Sequence, residues 1–175
     1  MKLFIADLKK IIKSPESLLT FKNELTKADQ TRFDSFSNQT RALQFLASRK
    51  IIKEHICPDY KTLKSGKVTI KGGFVSISHS RNLVVVAFSE NPIGVDIEAA
   101  DRRIDYKKIA ERMKFENCNT PCDFFKCWTA YEADYKLGKT KERIHHTHLY
   151  REGFLICLAS TDTSAAKIIP IFLNV

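Results

Sequence analysis

The stretch IGVDIE, residues 93–98, constrains the fold most, because apolar residues occupy every second position. A period of two predicts a β-strand whose isoleucine and valine side chains face a core. The opposite face carries Asp96 and Glu98, and Gly94 is expected to leave open space beside Asp96. Two carboxylates and an opening on a rigid strand suit a hard divalent cation. A half-exposed strand with a solvated acidic face is the simpler alternative, and this stretch alone favours it.

The chain is strongly basic: its 175 residues carry a formal net charge of +9, and the pI is about 9.3. A positive surface favours anionic partners, such as nucleic acid, phosphorylated small molecules or an acidic protein, and net charge alone does not choose among them. No apolar run is long enough to span a membrane, and the chain does not start with a signal-peptide pattern. We therefore expect a cytoplasmic protein.

The five cysteines are an odd number, which indicates reduced thiols where no secretion signal is recognised. Cys118, Cys122 and Cys127 are near one another in the sequence, and three histidines follow at 145–148. Their spacings match no standard zinc pattern, in which paired ligands lie a few residues apart on a tight turn. Reduced thiols are therefore favoured over a structural zinc site.

Hydrophobic periodicity in the first half predicts a short initial strand, a helix at about 15–26, a polar stretch at 27–38 and a long helix at Gln39–His55. Arg49 lies on the apolar stripe of that long helix. One interpretation is an arginine whose aliphatic part lies at the edge of the core. The other is a guanidinium that is held on a rigid helix to bind a phosphate.

The middle of the chain predicts a meander of short antiparallel strands joined by polar and glycine-containing turns. The predicted strands are 68–70, 74–78, 83–89 and 93–98. The first two are expected to form a hairpin. A turn at 79–82 contains His79, and a basic loop before the hairpin contains Lys67.

The second half predicts helices near 105–114 and 120–137. Trp128, Glu132 and Lys136 recur every four residues along the second of these helices. The simplest interpretation of this spacing is an ordinary Glu–Lys pair on the surface. Three further strands are predicted at 147–150, 154–160 and 167–172.

Three motifs follow one another in this order: ISHS at 77–80, IGVDIE at 93–98, and a helix with Trp128, Glu132 and Lys136. In order and spacing they resemble the motifs of the 4'-phosphopantetheinyl transferases, of the type that activates peptide and polyketide synthetases. The resemblance covers about residues 74–139. It extends more loosely towards the N-terminus, and the last strands match only in pattern.

The resemblance implies an α+β fold of two similar α/β subdomains in a pseudo-twofold arrangement. Each subdomain would have helices packed on a small, mainly antiparallel sheet. The N-terminal subdomain would comprise residues 1–92 and the C-terminal subdomain residues 93–175, fused into one compact unit. The order of helices and then strands, twice along the chain, agrees with this division. Coenzyme A would lie in the cleft between the halves, and the protein would be a monomer.

The implied reaction transfers the 4'-phosphopantetheine arm of coenzyme A to a serine of an apo acyl or peptidyl carrier protein. It releases adenosine 3',5'-bisphosphate and requires Mg²⁺. By the same resemblance, Asp96, Glu98 and Glu132 would bind the metal, which prefers carboxylates, phosphates and water as ligands. Glu132 would also be the general base for the carrier serine. Lys136 would neutralise or protonate the departing bisphosphate.

At the nucleotide end, the resemblance assigns Arg49 and His79 to the adenosine 3'-phosphate, with Ser78 beside them and Lys67 as a further contact. Tyr131 stands where the family has another lysine near the phosphates. A tyrosine donates a hydrogen bond but does not neutralise charge at pH 7. We therefore expect weaker coenzyme A binding or slower turnover than is usual for the family.

Two other functions stay open at this point. Tyr131 is compatible with a protein that has lost catalysis and only binds coenzyme A or a carrier protein. The net charge of +9 motivates a nucleic-acid-binding module, but lysines and arginines are scattered, without a stripe of interleaved aromatic residues. An acidic carrier protein and coenzyme A explain the positive charge equally well, so nucleic acid and membranes are not expected partners.

Overall fold

The computed structural model describes residues 1–11 and 20–171, in which helices pack on small, mainly antiparallel sheets. The helices are α1 (Leu8–Ile11), α2 (Lys27–Asp34), α3 (Gln39–His55), α4 (Tyr106–Met113) and α5 (Pro121–Leu137), with a 3-10 turn at Phe21–Glu24. The strands are β1 (Lys2–Asp7), β2 (Lys61–Thr62), β3 (Val68–Thr69), β4 (Phe74–Ser80), β5 (Leu83–Ser89), β6 (Ile93–Ala99), β7 (His145–Arg151), β8 (Phe154–Ser160) and β9 (Lys167–Ile171). The predicted α+β class is confirmed. No helix within the described ranges is both long and apolar enough to cross a membrane.

Two sheets form the framework, one with the strand order β4-β5-β1-β9 and one with the order β6-β8-β7. Their neighbouring strands are antiparallel except for β1 and β9, which pair in parallel with Leu3 opposite Ile168. Strand β9 follows β8 in the chain, yet it extends the sheet of the first half. The division into subdomains at residue 92 stays a prediction, and one strand crosses it.

The core between the sheets uses alternate residues of β1, β5, β6 and β8. Ile93, Val95 and Ile97 of β6 all belong to this core, as their alternation predicts. Helix α3 covers the outer face of the first sheet. Helix α5 covers the outer face of the second sheet, where Ala133 packs with Cys157. The layers therefore follow the order helix, sheet, sheet, helix.

Alternate serines of β4 line the seam where β4 lies beside β6. Ser76 Oγ accepts a hydrogen bond of 3.0 Å from the Val95 backbone N–H, and Ser80 Oγ accepts one of 3.2 Å from the Ala99 N–H. A buried N–H without an acceptor costs about 1–3 kcal/mol. The serines therefore replace a regular β-ladder along this seam and fix β4 against β6.

The polar stretch at 27–38, for which the sequence predicts no helix, contains α2. Thr26 caps this helix by accepting a hydrogen bond from the Asp29 backbone N–H, and the Asp29 side chain is fully buried. The Asp29 carboxylate pairs with Arg49 of α3. This tertiary contact explains why a polar segment packs as a helix. The helix predicted at 15–26 lies outside the described residues as far as residue 19, and its described part forms the 3-10 turn instead of a regular α-helix.

The prediction that strand 68–70 pairs with strand 74–78 in a hairpin is wrong. Strand β3 pairs with β2, β4 pairs with β5, and a single bridge between Ile70 and Gly73 joins the two expected partners. The turn at 79–82 is shorter than predicted, because β4 continues to Ser80. His79 therefore lies on a strand. The bounds predicted for α3 and β5 are confirmed.

Candidate functional site

Helix α5 lies directly on β6, and a glycine makes this close approach possible. Gly94 is buried, and a Cβ atom there would lie 1.9 Å from the Ala133 carbonyl oxygen and 2.8 Å from the Leu137 nitrogen. The space that the sequence assigned to a ligand is therefore filled by the α5 backbone. The predicted role of Gly94 is wrong: its lack of a side chain allows the helix to pack. This packing brings polar side chains of α5 to the acidic face of β6.

Asp96 and Lys136 form the centre of the candidate site. Asp96 is only 6% exposed, so the solvated acidic face considered as an alternative is also wrong. Its Oδ1 lies 2.6 Å from Lys136 Nζ and accepts a hydrogen bond of 2.8 Å from Ser78 Oγ. Its Oδ2 is buried and has no hydrogen-bond partner among the described residues. One oxygen thus binds a cation and a hydroxyl, and the other is an acceptor for a further cation or donor.

Glu98 is the second carboxylate on this face, and it is half-buried. Its Oε1 accepts a hydrogen bond of 3.0 Å from Arg102, and the Trp128 side chain of α5 lies beside it and lowers its pKa. Burial raises the pKa of Glu98 above its ordinary value, and the charge of Asp96 raises it further, while Arg102 partly opposes both effects. A cation placed between Asp96 and Glu98 would reduce this cost of holding two charged carboxylates together.

Glu132 lies along α5 between these two contacts. Trp128, one turn earlier, reaches Glu98, and Lys136, one turn later, reaches Asp96. The interpretation of Glu132 and Lys136 as a surface ion pair is therefore wrong, because Lys136 pairs with β6. Glu132 is half-buried, and its carboxylate has no hydrogen bond or ion pair to any residue in the described ranges.

The three predicted metal ligands are Asp96, Glu98 and Glu132. Within residues 1–11 and 20–171, no group of three His, Cys, Asp or Glu side chains is close enough together to hold a metal ion. The donor chemistry nevertheless fits Mg²⁺, because Asp96 Oδ2 and the Glu132 carboxylate both lack partners among the described residues. Lys136 supplies the positive charge beside Asp96. Metal binding stays a prediction.

Arg49 is buried in a polar network of the first half. Its Nε lies 3.3 Å from Asp29 Oδ2, and its guanidinium lies 4.4 Å from the centre of the Phe45 ring. Tyr60 donates a hydrogen bond of 2.8 Å to the same Asp29 oxygen. Burial lowers the pKa of Arg49, and Asp29 opposes this effect. Freeing the guanidinium for a phosphate would leave Asp29 charged and buried, so the surroundings favour a structural arginine.

His79 lies next to Ser78 on β4, and its close neighbour is an arginine that the sequence did not single out. Arg41 Nη1, on α3, lies 2.9 Å from His79 Nε2. Burial lowers the pKa of His79 to about 4, and the charges of Arg41 and Lys136 contribute to this shift. His79 is therefore neutral at pH 7. Arg41 precedes Arg49 by about two helical turns, so both lie on one side of α3, and the spacing alone does not show which one is exposed.

Two adjoining grooves open beside Lys136, each with a volume of about 420 Å³. They lie between the β3–β4 region and the last turn of α5. Lys67 and Lys136 line both grooves, and the exposed Tyr135 lines one of them. Grooves of this size hold part of a small molecule. The structure thus brings two lysines that the sequence predicted separately to the walls of the same space.

Tyr131 packs in an aromatic cluster. Its ring centre lies 5.9 Å from that of Phe115 and 6.3 Å from that of Trp128, and the residue is 45% exposed. The position therefore contributes an apolar contact and a hydroxyl. It adds no positive charge to the site.

No family model matches this chain, and no curated protein matches it significantly. The geometry therefore carries the functional inference. Carboxylates on a strand, a lysine on the facing helix and two lysine-lined grooves form one continuous region. Such a region is suited to binding an anionic, phosphate-containing molecule with a cation.

Proposed function

We propose that this protein transfers the phosphopantetheine arm of coenzyme A to a serine of an apo acyl or peptidyl carrier protein. The contact that best supports the proposal is the cluster of Ser78, Asp96 and Lys136. Each residue comes from a different one of the three motifs, and Ser78 and Lys136 are 58 positions apart in the chain. Three short motifs that resemble those of one family therefore meet at one point.

Transfer of this kind depends mainly on positioning and on neutralising phosphate charge. Lys136 provides an ammonium group that Asp96 and Ser78 orient from two sides. It would neutralise the departing bisphosphate. Glu132, which has no partner among the described residues, would accept the proton of the carrier serine. Mg²⁺ would supply neutralisation of the pyrophosphate, with Asp96, Glu98 and Glu132 as its ligands.

At the nucleotide end, Arg41 is better placed for a phosphate than Arg49. Arg41 is exposed and contacts His79, whereas Arg49 is buried against Asp29. A neutral His79 donates one ring N–H, and the Arg41 guanidinium supplies both charge and a planar set of donors. We therefore assign the 3'-phosphate to Arg41 and His79, with Lys67 on the groove wall as a further cation.

A carrier-loading assay tests the proposed function. The protein is incubated with coenzyme A, Mg²⁺ and an apo carrier protein, and the carrier is then weighed by mass spectrometry. We expect a gain of one phosphopantetheine arm, lost in Glu132→Gln and kept in Glu111→Gln, an exposed glutamate of α4. Coenzyme A that binds without any gain in carrier mass would contradict transfer and support the second candidate.

The second candidate is a protein that binds coenzyme A or a carrier protein with little or no transfer. Tyr131 favours it, because its ring packs on Phe115 and Trp128 and adds no cation to the site. Tyr131→Lys is expected to lower the KM for coenzyme A or raise kcat in the loading assay. Tyr150→Lys, at an exposed tyrosine of β7 outside both grooves, is the matched control. Unchanged constants in Tyr131→Lys would show that the missing lysine does not limit the reaction.

A further inference from the structure

Two cysteines that the proposed reaction does not use contact each other. Cys118 Sγ, in the connection between α4 and α5, lies 3.2 Å from Cys127 Sγ on α5. Both residues are partly exposed, and both thiols are free. A disulfide bond is about 2.05 Å long, so the two sulfur atoms need to approach by only about 1 Å.

The surroundings of the pair hold both segments in place. Cys118 packs against the apolar cluster that contains Phe124, Phe125 and Leu155. Cys127 directly precedes Trp128, whose side chain lies beside Glu98 of the candidate site. Cys122, on the first turn of α5, is exposed and has no sulfur contact among the described residues. The short distance between Cys118 and Cys127 therefore distinguishes them from the cysteine that lies between them in the sequence.

We propose that Cys118 and Cys127 are a modification site, which a low-molecular-weight disulfide oxidises to a reversible intramolecular disulfide. One cysteine thiolate attacks the reagent, forms a mixed disulfide and releases one reagent thiol. The second cysteine thiolate then attacks the first cysteine and releases the other reagent thiol. In sum, the two cysteines lose two electrons and two protons, and the reagent disulfide gains them as two thiols.

The bond ties the α4–α5 connection to the helix turn that carries Trp128. It closes a short loop and so restricts the unfolded chain more than the folded one. We expect the oxidised protein to have a Tm higher by roughly 5–10 °C, and the difference to disappear when dithiothreitol is added.

The reaction is expected to be slow at neutral pH. Burial and the contact with Cys127 raise the pKa of Cys118 to about 11, so this thiol is protonated at pH 7. Because the thiolate is the reactive form, oxidation should be faster at pH 9 than at pH 7.

The test uses the full chain and oxidised glutathione at pH 9, followed by alkylation of the free thiols and digestion with trypsin. Cleavage after Lys114, Lys126 and Lys136 places Cys118 and Cys127 on separate peptides, 115–126 and 127–136. We expect these peptides to be joined, with Cys122 alkylated and a mass two hydrogen atoms below the sum of the Cys122-alkylated peptide 115–126 and the unmodified peptide 127–136, and to separate after reduction.

Variants assign the bond, because peptide 115–126 also contains Cys122. Cys122→Ser should keep the joined peptides and Cys127→Ser should lose them. Loss in Cys122→Ser would overturn the proposal, as would glutathione attached to the separate peptides without a crosslink. If Cys127→Ser fails to fold, wild type and Cys122→Ser still decide the question. The readout is independent of carrier loading, so it is also independent of the proposed transfer.

Discussion

Lys136 and Asp96 are joined by a short ion pair of 2.6 Å between a half-buried ammonium and a buried carboxylate. A buried pair of this kind is weak evidence for net stabilisation, because both groups lose water when they are buried. Removing one partner has a larger effect, because the other charge remains buried. The pair therefore connects α5 to β6 in a way that a substitution at either residue should reveal.

Lys136→Ala should lower the free energy of unfolding by about 2–3 kcal/mol, because Asp96 keeps its buried charge without a cation. Urea denaturation at pH 7 measures this change. Lys139→Ala, at an exposed lysine three residues later, should leave the midpoint unchanged. Equal midpoints in the two variants would show that the ion pair does not hold the site together.

His79 should make stability depend on pH, because its folded pKa of about 4 is lower than the ordinary value of 6.5. Above pH 6.5 the ring is neutral in both the folded and the unfolded protein, so the free energy of unfolding has its full value. Below pH 6.5 the unfolded protein binds the proton first, so the free energy of unfolding falls until the folded protein also binds it near pH 4. The free energy of unfolding falls by about 3 kcal/mol over this range. Denaturation curves between pH 7 and 4 should show a smaller decrease for His79→Gln than for wild type.

Arg41 is one cause of the low His79 pKa, so removing its charge should raise that pKa. NMR titration of the ring protons in Arg41→Ala measures the change. Arg103→Ala is the control, because Arg103 is an exposed arginine in the connection between β6 and α4. An unchanged His79 titration in Arg41→Ala would mean that Arg41 does not contribute to the low pKa.

At the scale of single elements, β6 and α5 determine the site together. The alternation of 93–98 predicts the strand, and the four-residue spacing of Trp128, Glu132 and Lys136 predicts a helix face. Neither pattern shows that the helix lies on the glycine side of the strand. That arrangement requires a backbone approach that any Cβ at Gly94 would prevent.

Gly94→Ala should therefore separate α5 from β6. The added methyl group would overlap the Ala133 carbonyl oxygen, a backbone atom that does not move without the helix. We expect a loss of about 3 kcal/mol or more in the free energy of unfolding, measured by urea denaturation. Gly138→Ala is the matched control: it has open space but a positive φ of 93°, and should cost only about 1 kcal/mol. Similar losses in both variants would contradict the close helix–strand contact.

At the scale of the whole molecule, the two halves share one core. Leu3 and Val85 come from the first sheet, and Val95 and Ile156 come from the second. Strand β9 adds a parallel neighbour to β1 across the predicted boundary at residue 92. The halves are therefore expected to depend on each other for folding.

Residues 1–92 expressed alone should not fold, because the inner face of their sheet would lose its apolar cover and β1 would lose β9. The amide region of a ¹H–¹⁵N spectrum measures this directly, and we expect narrow dispersion for the fragment and wide dispersion for the full chain. A well-dispersed spectrum of the fragment would show that the N-terminal subdomain is an independent unit.

Local pattern was sufficient for α3, β5 and β6, because periodicity over a few turns or residues defines each of them. Local pattern did not predict α2, which is a polar helix. Asp29 of this helix is buried against Arg49, which lies 20 positions away in the sequence. Short strands were also mispaired, since β3 has no side-chain pattern long enough to specify its partner.

The same difference holds for the candidate site. The resemblance of short, local motifs to those of one family singled out Asp96, Glu132 and Lys136, whereas their spacing alone favoured a solvated acidic face and a surface ion pair. The contact of Lys136 with Asp96 joins residues 40 positions apart, and that of Arg41 with His79 joins residues 38 positions apart. Packing of α5 on β6 and of α3 near β4 creates these contacts. Burial and charge at the site depend on this packing of helices near strands. The spacing of residues along the chain does not predict that packing.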